Sequence, residues 1–314
     1  DLRRFVVELM RNEEVVESPA DLDKLTKGYT KEAVNFIRDN KDRPFFILLS
    51  HNMPHVPLAV SDDFRGKSSR GLYGDAIEEI DWSVGQVVSE LDSLNLLQDT
   101  LIVFLSDNGP EVRAELENDV GSAGALRGGK YSNWEGGVRV PAIFYWSGAI
   151  PSKTIREGVF SLMDIFPTVA ALAGGTGPES YRLNGANILP LLLSDGNDYG
   201  TSSSYFYYSL TSLQAVRLDE WKLVLPRIKN SPYLLWLGKY SDTVDKPMLF
   251  NLKSDVREQN DLSSERPDLV TKMLAEAERA REQFGDYNQI GTSSRFFDPG
   301  PKRPNTYFSD NAEF

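Results

Sequence analysis

Five consecutive apolar residues, Leu101-Ile102-Val103-Phe104-Leu105, run directly into Ser106-Asp107-Asn108-Gly109-Pro110. The run is short, rich in β-branched and aromatic residues, and closed by turn formers. It therefore predicts a buried strand of a mostly parallel sheet. In open α/β sheets ligands sit beyond the carboxyl ends of strands, where Asp107 and Asn108 fall. Their charged and neutral oxygens suit a hard cation such as Ca²⁺ or Mg²⁺. Asp-Asn-Gly is also ordinary turn chemistry, and the tripeptide alone fits both. Two glycine-rich stretches follow, Leu126-Arg127-Gly128-Gly129-Lys130 and Trp134-Glu135-Gly136-Gly137-Val138-Arg139. The glycines before Lys130 let backbone approach a ligand closely, which singles that lysine out.

The same strand-then-loop pattern occurs upstream. Phe45 to Leu49 predicts a second buried strand, followed by Ser50-His51-Asn52-Met53-Pro54-His55-Val56-Pro57. His51 and His55 are four apart, but Pro54 and Pro57 prevent the helix that would make them a zinc pair. Arg70 to Asn95 predicts an amphipathic helix with Ile77, Ile80, Val84, Val87, Val88, Leu91 and Leu94 inward. Its acids Asp75, Glu78, Glu79, Glu90 and Asp92 are expected on a solvated face. This helix would join the two strands as a crossover. Lys27 to Asn40 and Ser161 to Ala173 predict further helices, and Pro141 to Trp146 a third strand. Trp134 suits either core packing or a sugar face, and Arg139 either an ion pair or substrate contact.

Asp195 to Ser204 is rich in Gly, Asn and Ser, as a linker would be. Beyond it, Ser204 to Ser209, Leu213 to Leu218, Trp221 to Leu225 and Met248 to Asn251 predict short antiparallel strands. Asp219-Glu220 suits a hairpin turn. Pro267 to Phe284 predicts a helix with Leu269, Val270, Met273, Leu274 and Ala277 inward. Asp286 to Phe314 is expected to be mostly an extended tail.

A net charge of −12 argues against a nucleic-acid binder. With 0 Cys, disulfides and thiolate metal sites are excluded. No apolar run approaches the roughly 20 residues of a membrane span. The chain opens on Asp1 without a signal-peptide layout, so it is expected to be a piece of a longer protein.

In order along the chain stand Arg43-Pro44-Phe45-Phe46, Pro54-His55-Val56-Pro57, Arg70-Gly71-Leu72-Tyr73-Gly74-Asp75, Ser106-Asp107-Asn108-Gly109, Gly129-Lys130 and Glu135-Gly136-Gly137-Val138-Arg139-Val140-Pro141. This ordered set resembles the sulfatase family, of the arylsulfatase and N-acetylgalactosamine-6-sulfatase kind, from about Glu14 to about Ser263. The resemblance implies an alkaline-phosphatase-like α/β domain over 1–195 and a small antiparallel sheet with one helix over 196–290, followed by a tail over 291–314. It implies cleavage of sulfate monoesters of an aryl or carbohydrate substrate. Asp107 and Asn108 would be metal ligands, with Ca²⁺ expected and Mg²⁺ the alternative. His55 and Lys130 would contact the sulfate and assist the leaving oxygen, while His51 matches nothing. It also implies a periplasmic, secreted or lysosomal setting. One departure is large. The family's nucleophile is a formylglycine made from the first residue of Cys/Ser-x-Pro/Ala-x-Arg, and no residue here begins that pattern. Ser122-Ala123-Gly124-Ala125-Leu126-Arg127 has the wrong spacing. The nucleophile is therefore expected in a missing front half, and this chain alone is expected to be inactive. The alternatives are a phosphoester or phosphonate hydrolase of the same superfamily, and a noncatalytic remnant that binds sulfated carbohydrate.

Overall fold

A computed structural model describes residues 7–112, 121–156, 158–175, 183–194, 204–227 and 243–294. The chain divides into two compact units. Of the described residues, 7–97 form the first, and the rest, from Gln98, form the second.

In the first unit, β1 (Leu9–Arg11) and β2 (Glu14–Glu17) make an antiparallel hairpin. Helix α1 (Leu22–Asn40) is capped by Asp21, whose carboxylate accepts from the Asp23 amide at 3.2 Å. Helix α2 (Gly71–Ser93) packs along it. The buried seam includes Leu25, Ala33, Ile37 and Leu91, and also a polar stitch, Thr30 Oγ1 to Ser83 Oγ at 2.6 Å. The segment after α1 lays Met53, Ala59 and Val60 on Ala76 and Ile80 of α2.

Two expectations change here. Phe45 to Leu49 forms no strand among the described residues, and Phe46 and Leu48 are exposed. A strand needs a neighbour to satisfy its amides, and none of the described segments supplies one. Asp75 and Glu79 are not on a solvated face but buried. Asp75 accepts the amides of Gly66, Lys67 and Ser68 at 2.8, 3.0 and 2.7 Å. Glu79 accepts that of Ser61 at 3.0 Å. The loop before α2 has amides without a ladder, and these carboxylates take them up.

In the second unit, β3 (Ile102–Leu105) pairs antiparallel with β4 (Ala142–Tyr145), Val103 opposite Phe144. The expected parallel pairing does not occur among the described residues. One turn of helix, α3 (Glu135–Val138), lies between these strands in sequence. A 3₁₀ turn (Leu162–Asp164) leads into α4 (Ile165–Leu172), so Pro167 sits in the first turn, where its missing amide costs nothing. The short α5 (Leu189–Leu193) follows.

The strands β5 (Tyr205–Ser209), β6 (Ser212–Leu218), β7 (Trp221–Val224) and β8 (Met248–Asn251) form an antiparallel meander in that order. Helix α6 (Pro267–Phe284) sets Met273, Ala277 and Ala280 against Leu213, Val216, Leu223 and Leu249. A small hairpin, β9 (Gly285–Asp286) with β10 (Gln289–Ile290), closes the described chain. The Asp219-Glu220 turn falls where expected, with Asp219 at φ +53°. The other sheet face carries Ala215, Val224 and Phe250, and packs on Trp134. Lys222 shares that face with Val224, two residues on. It is fully buried. Residues 195–203 of the expected linker and 295–314 of the expected tail lie outside the described residues.

Candidate active site

Three of the four site residues predicted from sequence belong to the second unit, where two loops are clasped together. Gly109 donates its amide to Gly137 O at 2.9 Å, and Lys130 donates its amide to Pro110 O at 2.8 Å. Gly136 donates to Arg127 O at 2.7 Å. The loop after β3 is thus tied to the turn α3 and to the Lys130 loop. The clasp requires glycine. A Cβ on Gly109 would stand 1.9 Å from Gly136 O, and one on Gly137 would stand 2.0 Å from Ser132 O.

On this clasp, Asp107 is exposed and Asn108 half-buried. Asn108 donates Nδ2–H to Gly109 O at 3.0 Å, which turns its Oδ1 away from that carbonyl. Lys130 is half-buried with its ammonium 5.3 Å from the Tyr131 ring centre, and no ion pair joins it to a described carboxylate. Its charge is therefore not neutralised by a neighbouring described acid. Asp107 and Asn108 have the hard oxygen chemistry that Ca²⁺ or Mg²⁺ prefers, and they supply two side chains where Ca²⁺ takes 6–8 oxygens. Among the described residues no group of three or more His, Cys, Asp or Glu could hold a metal. The pair fits as part of a ligand set.

The histidines belong to the first unit. His55 is exposed, and its Nδ1 lies 2.6 Å from Val56 O. A carbonyl only accepts, so Nδ1 carries the proton and Nε2 is the nitrogen left for chemistry. His51 is turned inward. Thr30 Oγ1 must donate to Thr26 O at 2.6 Å, so Ser83 donates to Thr30, and His51 Nε2–H in turn donates to Ser83 at 3.3 Å. Burial pushes the His51 imidazole below the usual range, which keeps it neutral. It stitches the loop to the α1–α2 seam.

Beneath the clasp lies a network that the sequence did not single out. The Lys222 ammonium lies 2.9 Å from Glu135 Oε1, 2.8 Å from Glu258 Oε1 and 2.7 Å from Asn133 O. Glu258 Oε2 accepts the Glu135 amide at 2.7 Å. Arg139 and Arg217 stand 3.5 and 3.7 Å from Glu135 Oε2. Arg139 therefore makes an ion pair, and Trp134 packs in the core against Phe250. Arg127 stacks 3.5 Å over the Trp134 ring and donates to Glu258 O at 2.9 Å. Burial raises the Glu258 carboxyl above the usual range. Burial pushes Glu135 the same way, but Lys222 and the two arginines outweigh it and hold that carboxyl low. The one available signal was a lysine inside the apolar run Trp221 to Leu225. Glu258, in a polar turn, carried none.

Comparison with known proteins now gives the clasp a context. The sulfatase family model matches residues 8–175, more than half of the chain. The chain belongs to the sulfatase family. A second model, the C-terminal region of aryl-sulfatase, matches residues 201–296. Human steryl-sulfatase is 40% identical over 275 residues, covering 81% of this chain and 47% of that protein. The N-acetylgalactosamine-6-O-sulfatase of Bacteroides thetaiotaomicron is 33% identical over 253 residues, covering 78% of this chain and 48% of that one. A solved structure from glycosaminoglycan metabolism in Bacteroides thetaiotaomicron superposes with a TM-score of 0.73 at 30% identity, over 83% of this chain and 55% of that chain. The chain spans about half the length of these curated relatives. The chain shares the fold of that solved structure over the part covered, and no described helix here is long and apolar enough to cross a membrane.

Proposed function

We propose that the protein carrying this chain is a sulfuric ester hydrolase that cleaves sulfate monoesters of an aryl or carbohydrate alcohol. The observation that supports this most is the clasp. Backbone bonds and close approaches at Gly109, Gly129, Gly136 and Gly137 tie the loop that carries Asp107 and Asn108 to the loop that carries Lys130, in a chain matched by the sulfatase model over this whole region.

The chemistry follows from charge. Cleaving a sulfate monoester moves negative charge onto the sulfuryl oxygens and the departing oxygen, so fixed cations and a proton donor lower the barrier. Asp107 and Asn108 would hold Ca²⁺, with Mg²⁺ as the alternative, and the bound ion would supply Lewis acidity. Lys130 binds the sulfuryl group as a point charge. His55 is assigned the proton to the leaving oxygen. Because Nδ1–H is held by Val56 O, it gives that proton from Nε2 as the imidazolium. The formylglycine nucleophile is assigned to a part of the protein beyond these 314 residues, which contain 0 Cys.

The test is an assay of the complete protein between about pH 5 and 8, where histidine changes charge. Its substrates are an aryl sulfate, a panel of sulfated sugars, an aryl phosphate and a phosphonate monoester. Sulfate ester turnover that a chelator abolishes and calcium restores is expected. Turnover of the phosphorus esters alone, or binding of sulfated sugar without turnover, overturns the proposal.

A further inference from the structure

We propose that Lys222 and Glu258 are positioning residues for the candidate active site, acting through the Glu135 turn on the Asp107–Asn108 loop and on Lys130. That role rests on the sulfate-ester site proposed above.

Both residues lie in the segment matched by the C-terminal family model, far along the chain from the loops they would govern. The path is continuous. Glu258 Oε2 holds the Glu135 amide, and Lys222 holds the Glu135 carboxylate and Asn133 O. The turn so fixed presents Gly136 N–H to Arg127 O and Gly137 O to Gly109 N–H. Those bonds set where Asp107 and Asn108 begin and where the Arg127 to Lys130 loop runs. Glu258 grips that loop a second time, its carbonyl accepting from Arg127 at 2.9 Å.

Stability alone does not account for such a network. Two carboxylates and an ammonium without exposed side-chain surface face a desolvation penalty that can exceed their attraction. An apolar filling would satisfy the core equally well. Directed hydrogen bonds to two backbone groups, the Glu135 amide and Asn133 O, supply geometry, which apolar packing does not.

The test compares the complete wild-type protein with Glu258→Gln and with the double variant Lys222→Met/Glu258→Gln. In wild type Oε2 serves the Glu135 amide and Oε1 faces Lys222, so glutamine, with one oxygen in place of two, turns its NH2 toward one of them. The double variant removes one charge of each sign and leaves Glu135 with its two arginines. Amide hydrogen exchange at Gly109, Lys130 and Gly136 is expected to quicken by about tenfold or more, the scale of losing a charged hydrogen bond. Exchange at Met273, Ala277 and Ala280 in α6 should stay within about twofold, because those amides report the core rather than the clasp. With a sulfate ester substrate, kcat should fall by about tenfold or more while KM changes less. Unchanged exchange at the three clasp amides in both variants overturns the positioning role, and so does equal acceleration in α6, the mark of general destabilisation. If the wild type turns over no sulfate ester, the functional proposal fails on its own, and the exchange data still decide whether Lys222 and Glu258 hold the clasp.

Discussion

A fully buried ammonium is tolerable only while its partners stay close. Lys222→Met leaves Glu135 and Glu258 buried around an apolar side chain, so a loss of about 3–5 kcal/mol is expected in urea denaturation. Arg139→Met removes a guanidinium whose side chain is 43% exposed, and should cost less than about 1 kcal/mol. Comparable losses for both would mean that burial does not set the strength of these pairs. The pH dependence has a defined sign. Glu258 has a raised folded-state pKa, so its contribution is present below the unfolded value of about 4.3 and is lost as pH rises through the raised one. Glu135 has a lowered one, so its contribution is lost as pH falls. Glutamine stands in for the protonated acid. The Tm of Glu258→Gln relative to wild type should therefore climb as pH rises from about 4, and a falling difference would contradict the assignment. At the proposed cation site, Asp107→Ala in the complete protein should lower kcat/KM by at least about a hundredfold, as expected for a metal ligand. Asp92→Ala, on an exposed turn of α2, should leave it within about twofold. Equal losses at unchanged folding would remove Asp107 from the metal set.

At the scale of elements, α2 does more than bury a stripe. Its Asp75 carboxylate organises residues 66–68, and the Ser68 amide, with those of Gly66 and Lys67, holds that carboxyl below the usual range. Asp75→Ala strands three amides, and a loss of about 2–4 kcal/mol is expected by thermal or urea denaturation. Because the shift is downward, the Asp75 contribution is present above about pH 4 and disappears as pH falls. A stability gap between wild type and Asp75→Ala that widens on acidification would refute this role. These buried acids mark the limit of pattern reading. Periodicity found α1, α2 and α6 because their apolar residues recur at helical spacing, and it found β5 to β8 because turn residues separate them. It could not tell Asp75 from Asp92, since the two differ in what a neighbouring loop offers, not in their own helix. Phe45 to Leu49 read as a buried strand and forms none among the described residues, because an apolar run does not carry its own ladder partner. Gly109, Lys130 and the Glu135 turn were visible as glycine-rich motifs. Lys222 and Glu258 were not, because their role arises from contacts across about 90 and 120 residues of sequence, and loop closure on that scale leaves no local trace.

For the whole molecule, the decisive comparison is between what these 314 residues contain and what sulfate ester cleavage needs. They hold a clasp with two candidate oxygen ligands and a lysine, and in the other unit a histidine whose Nδ1 is held by Val56 O. They hold 0 Cys and no serine in the motif that the family converts to its nucleophile. Positive charge stabilises developing negative charge, but it does not replace an attacking group. Metal retention should be weak as well, since two side chains leave most of the 6–8 oxygen positions of Ca²⁺ to water. Ile143 and Tyr145 on β4, and Phe46 and Leu48 outside any ladder, expose apolar surface, which favours association of the isolated chain. The 314-residue chain expressed alone is therefore expected to give no turnover of an aryl sulfate or of sulfated sugars, with calcium supplied, between about pH 5 and 8. Calorimetric titration should give a calcium Kd in the range of about 10⁻³ M or weaker. Turnover by the isolated chain that vanishes in His55→Ala or Lys130→Ala would mean that these 314 residues suffice for catalysis. The division of labour proposed here, with the nucleophile outside the chain, would then be wrong.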